Sequence, residues 1–238
     1  MSLKRIFFKN KITYKIYLYY NLYIRHKGFL KRKRYSQWGE DQFIDQFFKD
    51  KEKGIYIDIG CFNPFMYSNT CLLYKRGWSG INIDINPTSI DLFNIARPKD
   101  FNICTTINNE KKSFEVYYDH PFSPLNSLDK NFYENFVRSP STNKNTFTIE
   151  SKSIEEVIML SDIKKDIDFI NIDAEGSDYK ILTQINIQKL KPKLISIETH
   201  NFDGSEGKNL QNINDYLIKN NFSIFKRIGS TTLFDRKN

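Results

Sequence analysis

Four runs rich in isoleucine, GIYIDI (54–59), SGINID (79–84), IDFINI (167–172) and KLISIE (193–198), are each six residues long. That is the length of a strand, and turn residues or an acid close every one of them. The segments between them suit helices: 36–50 with Phe43, Phe47 and Phe48 at apolar spacing, 68–76 stopped by Gly77, 88–96 after Pro87, 153–161, 177–187 and 208–220. Further strands are expected over 101–107 and 146–150. Two more, FSIFKR (222–227) and STTLFD (230–235), part at Ile228-Gly229. Strands alternating with helices predict an α/β chain with a mostly parallel, doubly wound sheet. Residues 117–145, broken by Pro121, Pro124 and Pro140, read as a functional loop or lid.

The edge of such a sheet is where a nucleotide-like molecule binds, and the first strand ends in Asp58-Ile59-Gly60. A dinucleotide would require G-x-G-x-x-G so that backbone can close on a pyrophosphate, yet Cys61, Phe62, Asn63 and Pro64 follow Gly60. The missing glycines disfavour a nicotinamide-dependent oxidoreductase. They are no obstacle to S-adenosylmethionine, which carries no phosphate. Asp58 is expected to help hold its ammonium, directly or through water, Gly60 to admit its methionine portion, and the helix start near Ser68 to take its carboxylate. Asp84, closing the second strand, suits the ribose hydroxyls.

The chain resembles the FkbM-type family of S-adenosylmethionine-dependent methyltransferases from about Ser36 to His200. The matching stretches are SQWGED (36–41), YIDIGCFNPFMYSNT (56–70), RGWSGINIDINP (76–87), ARPKD (96–100), LNS (125–127), DFINIDAEGSDYKIL (168–182) and KPKLISIE (191–198). Cys61 stands where alanine is commoner, and a threonine usually closes the LNS motif. The resemblance implies a Rossmann-like class I methyltransferase sheet with a reversed final strand, and O-methylation of a sugar or secondary-metabolite hydroxyl. It also implies that Gln37, Asn63, Ser68, Asn69 and Asp173 join Asp58, Gly60 and Asp84 around the cofactor, with Glu40 and Asp41 close by.

Methyl transfer to an ordinary hydroxyl needs alignment and a base. Asp173 and Glu175 follow the fourth core strand, which neighbours the first, and Glu198 and His200 follow the fifth. These carboxylates and the histidine are expected to form the catalytic cluster. Asp173, Glu175 and His200 lead it, and His200 is the first choice of base because free imidazole titrates near neutrality. The same set could instead hold Mg²⁺ or Mn²⁺ against a sugar diol.

Charge divides the chain. Before Glu40 there is no acid, while eleven Lys and Arg lie between Lys4 and Arg34; the remainder carries 25 basic and 28 acidic residues, a net of −3. Residues 1–35 are therefore expected to be a basic, aromatic arm on a single domain spanning 36–238. Its uncharged centre, IYLYYNLYI (16–24), has nine residues, too few to span a bilayer. The arm suits either a packing or dimer helix, or peripheral contact with an anionic membrane from the cytoplasmic side. A nucleic-acid modifier is the competing reading, disfavoured by the acidic body. Three cysteines without a C-x-x-C pair fit a reducing compartment.

Overall fold

A computed structural model describes residues 10–136, 145–201 and 203–237. The strands are β1 (Ile55–Ile59), β2 (Ser79–Asp84), β3 (Phe101–Cys104), β4 (Thr106–Ile107), β5 (Ser113–Tyr118), β6 (Asn145–Lys152), β7 (Phe169–Ile172), β8 (Leu194–Glu198), β9 (Phe222–Ile228) and β10 (Thr231–Arg236). The helices are α1 (Lys11–Tyr20), α2 (Lys27–Leu30), α3 (Glu40–Phe47), α4 (Cys71–Lys75), α5 (Pro87–Ala96), α6 (Lys130–Phe136), α7 (Ile154–Ser161), α8 (Asp178–Leu182), α9 (Ile187–Leu190) and α10 (Leu210–Lys219), with a π-helical turn over Asn21–Arg25.

The four isoleucine runs form the middle of a seven-stranded sheet of order β3-β2-β1-β7-β8-β10-β9. Its parallel pairings are evenly registered: Ile59 stands opposite both Ile83 and Ile172, and Ile172 opposite Ile197. The residues that follow (Gly60, Asp84, Asp173 and Glu198) therefore share one rim. The last strand, β10, runs antiparallel to β8 and to β9. This is the mostly parallel sheet with a reversed final strand that the sequence implies.

Strand parity sorts the two faces. Ile55, Ile57 and Ile59 pack with Ile81, Ile170, Ile195, Val157, Leu182 and Leu217 on one side. On the other, Tyr56 joins Ile44, Phe48, Leu73, Trp78 and Phe169. Asp58 shares parity with Tyr56. It pairs in register with Asn82 and Asn171, and Asn171 with Ser196, so a buried polar row crosses the sheet beneath the site.

Several expected elements change. The strand expected over 101–107 divides at Thr105, whose side chain bonds the Glu150 carbonyl. β3 stays in the large sheet, whereas β4 pairs with β6 in a second sheet of order β4-β6-β5. The strand expected near 146–150 thus leaves the main sheet, and the lid region holds the end of β5 and all of α6. Residues 137–144 of that region lie outside the described residues. The helix expected over 177–187 breaks after Leu182 and restarts at Ile187, where the Asn186 side chain accepts from Lys189 N–H.

The arm packs on the domain. Leu18 and Leu22 bury against Leu92 of α5, and the Tyr14 hydroxyl donates to Asp91 at 2.8 Å. Tyr17 meets Phe122, Tyr23 lies near Phe65, and Phe29 approaches Tyr67 edge-on. No helix among the described residues is long and apolar enough to cross a membrane.

Candidate active site

The turn after β1 is held from below. Asp58 accepts from Thr70 Oγ1 at 2.6 Å and from Asn171 Nδ2 at 2.9 Å, and Asn69 Nδ2 donates to Asn171 at 3.0 Å. Arg97, fully buried, donates to Thr70 Oγ1 and Ser68 Oγ, both at 2.8 Å, and to the Pro64 carbonyl. Asn63 Oδ1 accepts the N–H groups of Phe65 and Met66. A buried guanidinium and carboxylate with most of their partners in place over-determine this turn, which is a condition for a preorganised site.

Above it lies a cavity of about 280 Å³. Gln37, Gly60, Phe62, Tyr67, Asp84, Thr105, Thr106, Asn126, Asp173 and Glu175 line it, with Ile83, Ile85, Leu125, Leu128 and Ile181 as apolar walls. Phe62 and Tyr67 stack 6.4 Å apart, and both have left-handed backbone, at φ 49° and 57°. Asp84 accepts from Asn86 N–H at 2.7 Å and Phe62 N–H at 2.8 Å. Burial pushes its carboxyl up to about 6 although these two donors pull it down. Gly60 has φ 79°, and a Cβ there would lie 1.7 Å from the Asp173 carbonyl oxygen. Glycine is therefore demanded by the chain crossing from β7 as much as by any ligand.

That crossing chain carries the acids. Glu175 and Gly176 are both left-handed, at φ 46° and 90°. Asp178 holds the bend by accepting from Ala174 N–H at 2.8 Å and Gly176 N–H at 3.2 Å, while Ser127 Oγ donates to the Glu175 carbonyl at 2.9 Å. Oxygens of Asp173, Asp178 and Glu198 come within 4.8 Å of one another, a spacing that could hold a cation. Buried Glu175 Oε2 has no hydrogen-bond partner. Burial drives these groups upward, and neighbouring carboxylates add to it at Asp173, Glu175 and Glu198. Asp173 reaches about 8 and Glu198 about 10. Glu175 rises well above the carboxylate range, and Asp178 rises too, checked by its backbone donors. Like charges gathered out of water share protons until a cation arrives.

A second cavity of about 260 Å³ opens on the far side of this loop. Its walls include Asp129, Asn131, Phe132, Gly176, Asp178, Glu198, His200, Asn201 and Lys208. His200 Nδ1 lies 2.8 Å from Thr199 Oγ1, which bonds Thr232 Oγ1 at 2.6 Å. The ring is thus oriented from the reversed strand.

Of the residues expected at the cofactor, Gln37, Gly60, Asp84 and Asp173 line the first cavity together with Glu175. Asp58, Asn63, Ser68 and Asn69 do not line it: all four are buried in the scaffold of the turn beneath the cavity. Ser68 also precedes the start of its helix, which is only Cys71–Lys75. Asp41 is spent on Tyr35 N–H and Ser36 Oγ, and Glu40 on Trp38 N–H. His200 sits in the second cavity with Glu198, apart from Asp173 and Glu175 in the first. Sequence reasoning missed Phe62, Tyr67, Thr105, Thr106 and Asn126. Thr105 follows the third parallel strand at the same rim, so the strand-end rule applied once more would have found it.

A family model, the methyltransferase FkbM domain, matches residues 58–224. Among solved structures, the METTL16 methyltransferase domain is similar over 84% of this chain and 67% of its own, with 9% identity and a TM-score of 0.44. The 16S rRNA methylase ArmA is similar over 100% of this chain and 92% of its own, with 13% identity and a TM-score of 0.38. Likeness of that degree carries no argument about substrate, and no curated protein matches the chain. The family match takes in the turn after β1, Asp84, the acid loop and both cavities' strand ends; the chain belongs to the FkbM methyltransferase domain family, and so to enzymes that use S-adenosylmethionine.

Proposed function

We propose that the protein is an S-adenosylmethionine-dependent O-methyltransferase acting on a hydroxyl of a sugar or glycan. The observation that carries this reading is the second cavity. It is lined by two Asp, four Asn, His200 and Glu198, and the acid loop contributes to its wall through Gly176 and Asp178 as it does to the first cavity through Asp173 and Glu175. Hydroxyl-rich acceptors are recognised by such donors and acceptors, whereas a nucleic acid calls for basic residues, and the body beyond residue 39 is net −3.

The residues present fit the donor. The cavity offers apolar walls from Ile83, Ile85 and Leu125 for an adenine, Asp84 for a ribose, and Asp173 with Glu175 for an ammonium. The unpartnered Glu175 oxygen and the proton-sharing acids are what a cation would satisfy. Bound S-adenosylmethionine supplies an electrophilic methyl group. Asp84 then fixes the sugar ring through its remaining lone pairs while its bonds to Phe62 and Asn86 keep it rigid. Asp173 holds positive charge at the boundary of the two cavities. In the tautomer whose Nδ1–H donates to Thr199 Oγ1, His200 has Nε2 free to take the acceptor's proton.

The test is turnover to S-adenosylhomocysteine against a panel of nucleotide sugars, free glycans and RNA, with mass spectrometry of the product. A methylated sugar supports the reading, and methylated RNA with no sugar product overturns it. A second reading rests on the 4.8 Å carboxylate cluster: a divalent ion there would polarise a diol. Activity abolished by EDTA and restored by Mg²⁺ or Mn²⁺ would favour it over the histidine base.

A further inference from the structure

Among the described residues, the arm (10–35) takes no part in the sheet or in either reading of the chemistry. Its inner stripe, Leu18 and Leu22, is covered by Leu92. Its outer stripe is not. Ile12, Ile16 and Tyr19 recur at i, i+4 and i+7 and are 69%, 57% and 45% exposed, and Ile24 on the π-helical turn that follows is 60% exposed. A helix with two apolar faces is built to be covered on both. The domain covers one.

Charge decides what covers the other. Lys11, Lys15, Arg25 and Lys27 flank the open stripe and are exposed. The chain has eleven cations and no acid from Lys4 to Arg34. A second copy docked face to face would set two such clusters against each other. A nucleic acid would welcome the cations but offers little to aliphatic Ile12, Ile16 and Ile24. An anionic bilayer satisfies both halves of the pattern: aliphatic groups enter the acyl boundary, tyrosines settle at the headgroups, and Lys and Arg meet lipid phosphates. We propose that the arm lies in the plane of an anionic membrane surface through its Ile12–Ile16–Tyr19 stripe, holding the methyltransferase domain against the bilayer.

The proposal does not depend on the acceptor, because membrane binding is read without turnover. The full chain would be sedimented with vesicles of phosphatidylcholine alone or mixed with phosphatidylglycerol. Expected is pelleting with the anionic vesicles only, with apparent affinity falling at least about tenfold between roughly 0.05 and 0.5 M salt. Ile16→Asp with Tyr19→Asp, and separately Lys11→Glu with Lys15→Glu, should each weaken it about tenfold or more. All these positions are exposed, and unchanged S-adenosylhomocysteine affinity would certify the fold. Failure of the wild type to pellet at low salt overturns the proposal. So does a wild-type dimer that Ile16→Asp with Tyr19→Asp dissociates while vesicles go unbound, which would make a second copy the cover. RNA retention without vesicle binding overturns it equally.

Discussion

Asp84 has two duties, and substitution separates them. Its oxygens tie down Phe62 and Asn86 while its outer lone pairs face the cavity. Asp84→Ala should weaken S-adenosylhomocysteine binding by about 1–3 kcal/mol, the scale of buried polar groups left unpaired. Calorimetric titration measures it, and an unchanged affinity would remove Asp84 from the donor's contacts. Arg97 is different in kind, since it lines neither cavity. Arg97→Met strands Thr70, Ser68 and the Pro64 carbonyl, so its effect belongs to stability. The expected loss is about 3–5 kcal/mol by chemical denaturation, typical of breaking a buried charged network. His200→Ala should lower kcat and leave S-adenosylhomocysteine affinity intact, because His200 lies in the cavity beyond the acid loop. Equal losses in both would place it elsewhere in the cycle.

At the scale of elements, the acid loop is the piece whose charge state must change when the donor arrives. Asp173 near 8 and Glu198 near 10 hold protons at neutral pH in the free enzyme. A cationic ligand lowers both, so binding S-adenosylmethionine should release protons into the buffer. Calorimetry at about pH 7.5 in two buffers of different ionisation heat would show it; identical heats would mean that the acids are already ionised. The loop's position was legible in the chain, because β7 and β8 are plain isoleucine runs closing on Asp173 and Glu198. Its bend was not, since it depends on Asp178 reaching back to Ala174 and Gly176. The scaffold role of Asp58 was hidden for a similar reason. Its strand-end position suggests a ligand, yet its parity with Tyr56 turns it inward, and its partner Asn171 lies 113 residues away. The small sheet escaped notice because β4 is two residues long and continues β3 almost without a break.

For the whole molecule, the same carboxylates set how stability varies with pH. Their folded values lie above the unfolded ones, so the unfolded chain gives up its protons first as pH rises. The contribution is fully present below about pH 4 and is lost on the way up through the folded value of about 8 at Asp173. The ligand-free Tm should therefore fall between about pH 5 and 8, apart from other groups, and Asp173→Asn should flatten that slope; an unaltered slope would refute the assignment. The turn after β1 carries a further consequence, for how the protein is made. Ribosomes add roughly 5–20 residues per second, so Asp58 emerges on the order of ten seconds before Asn171 can meet it. Gly60 waits as long for the Asp173 carbonyl that closes over it. Cofactor cannot act as a template for the first half of the chain, and a nascent chain stalled before β7 should capture no S-adenosylhomocysteine. One released after Arg236 should capture it fully.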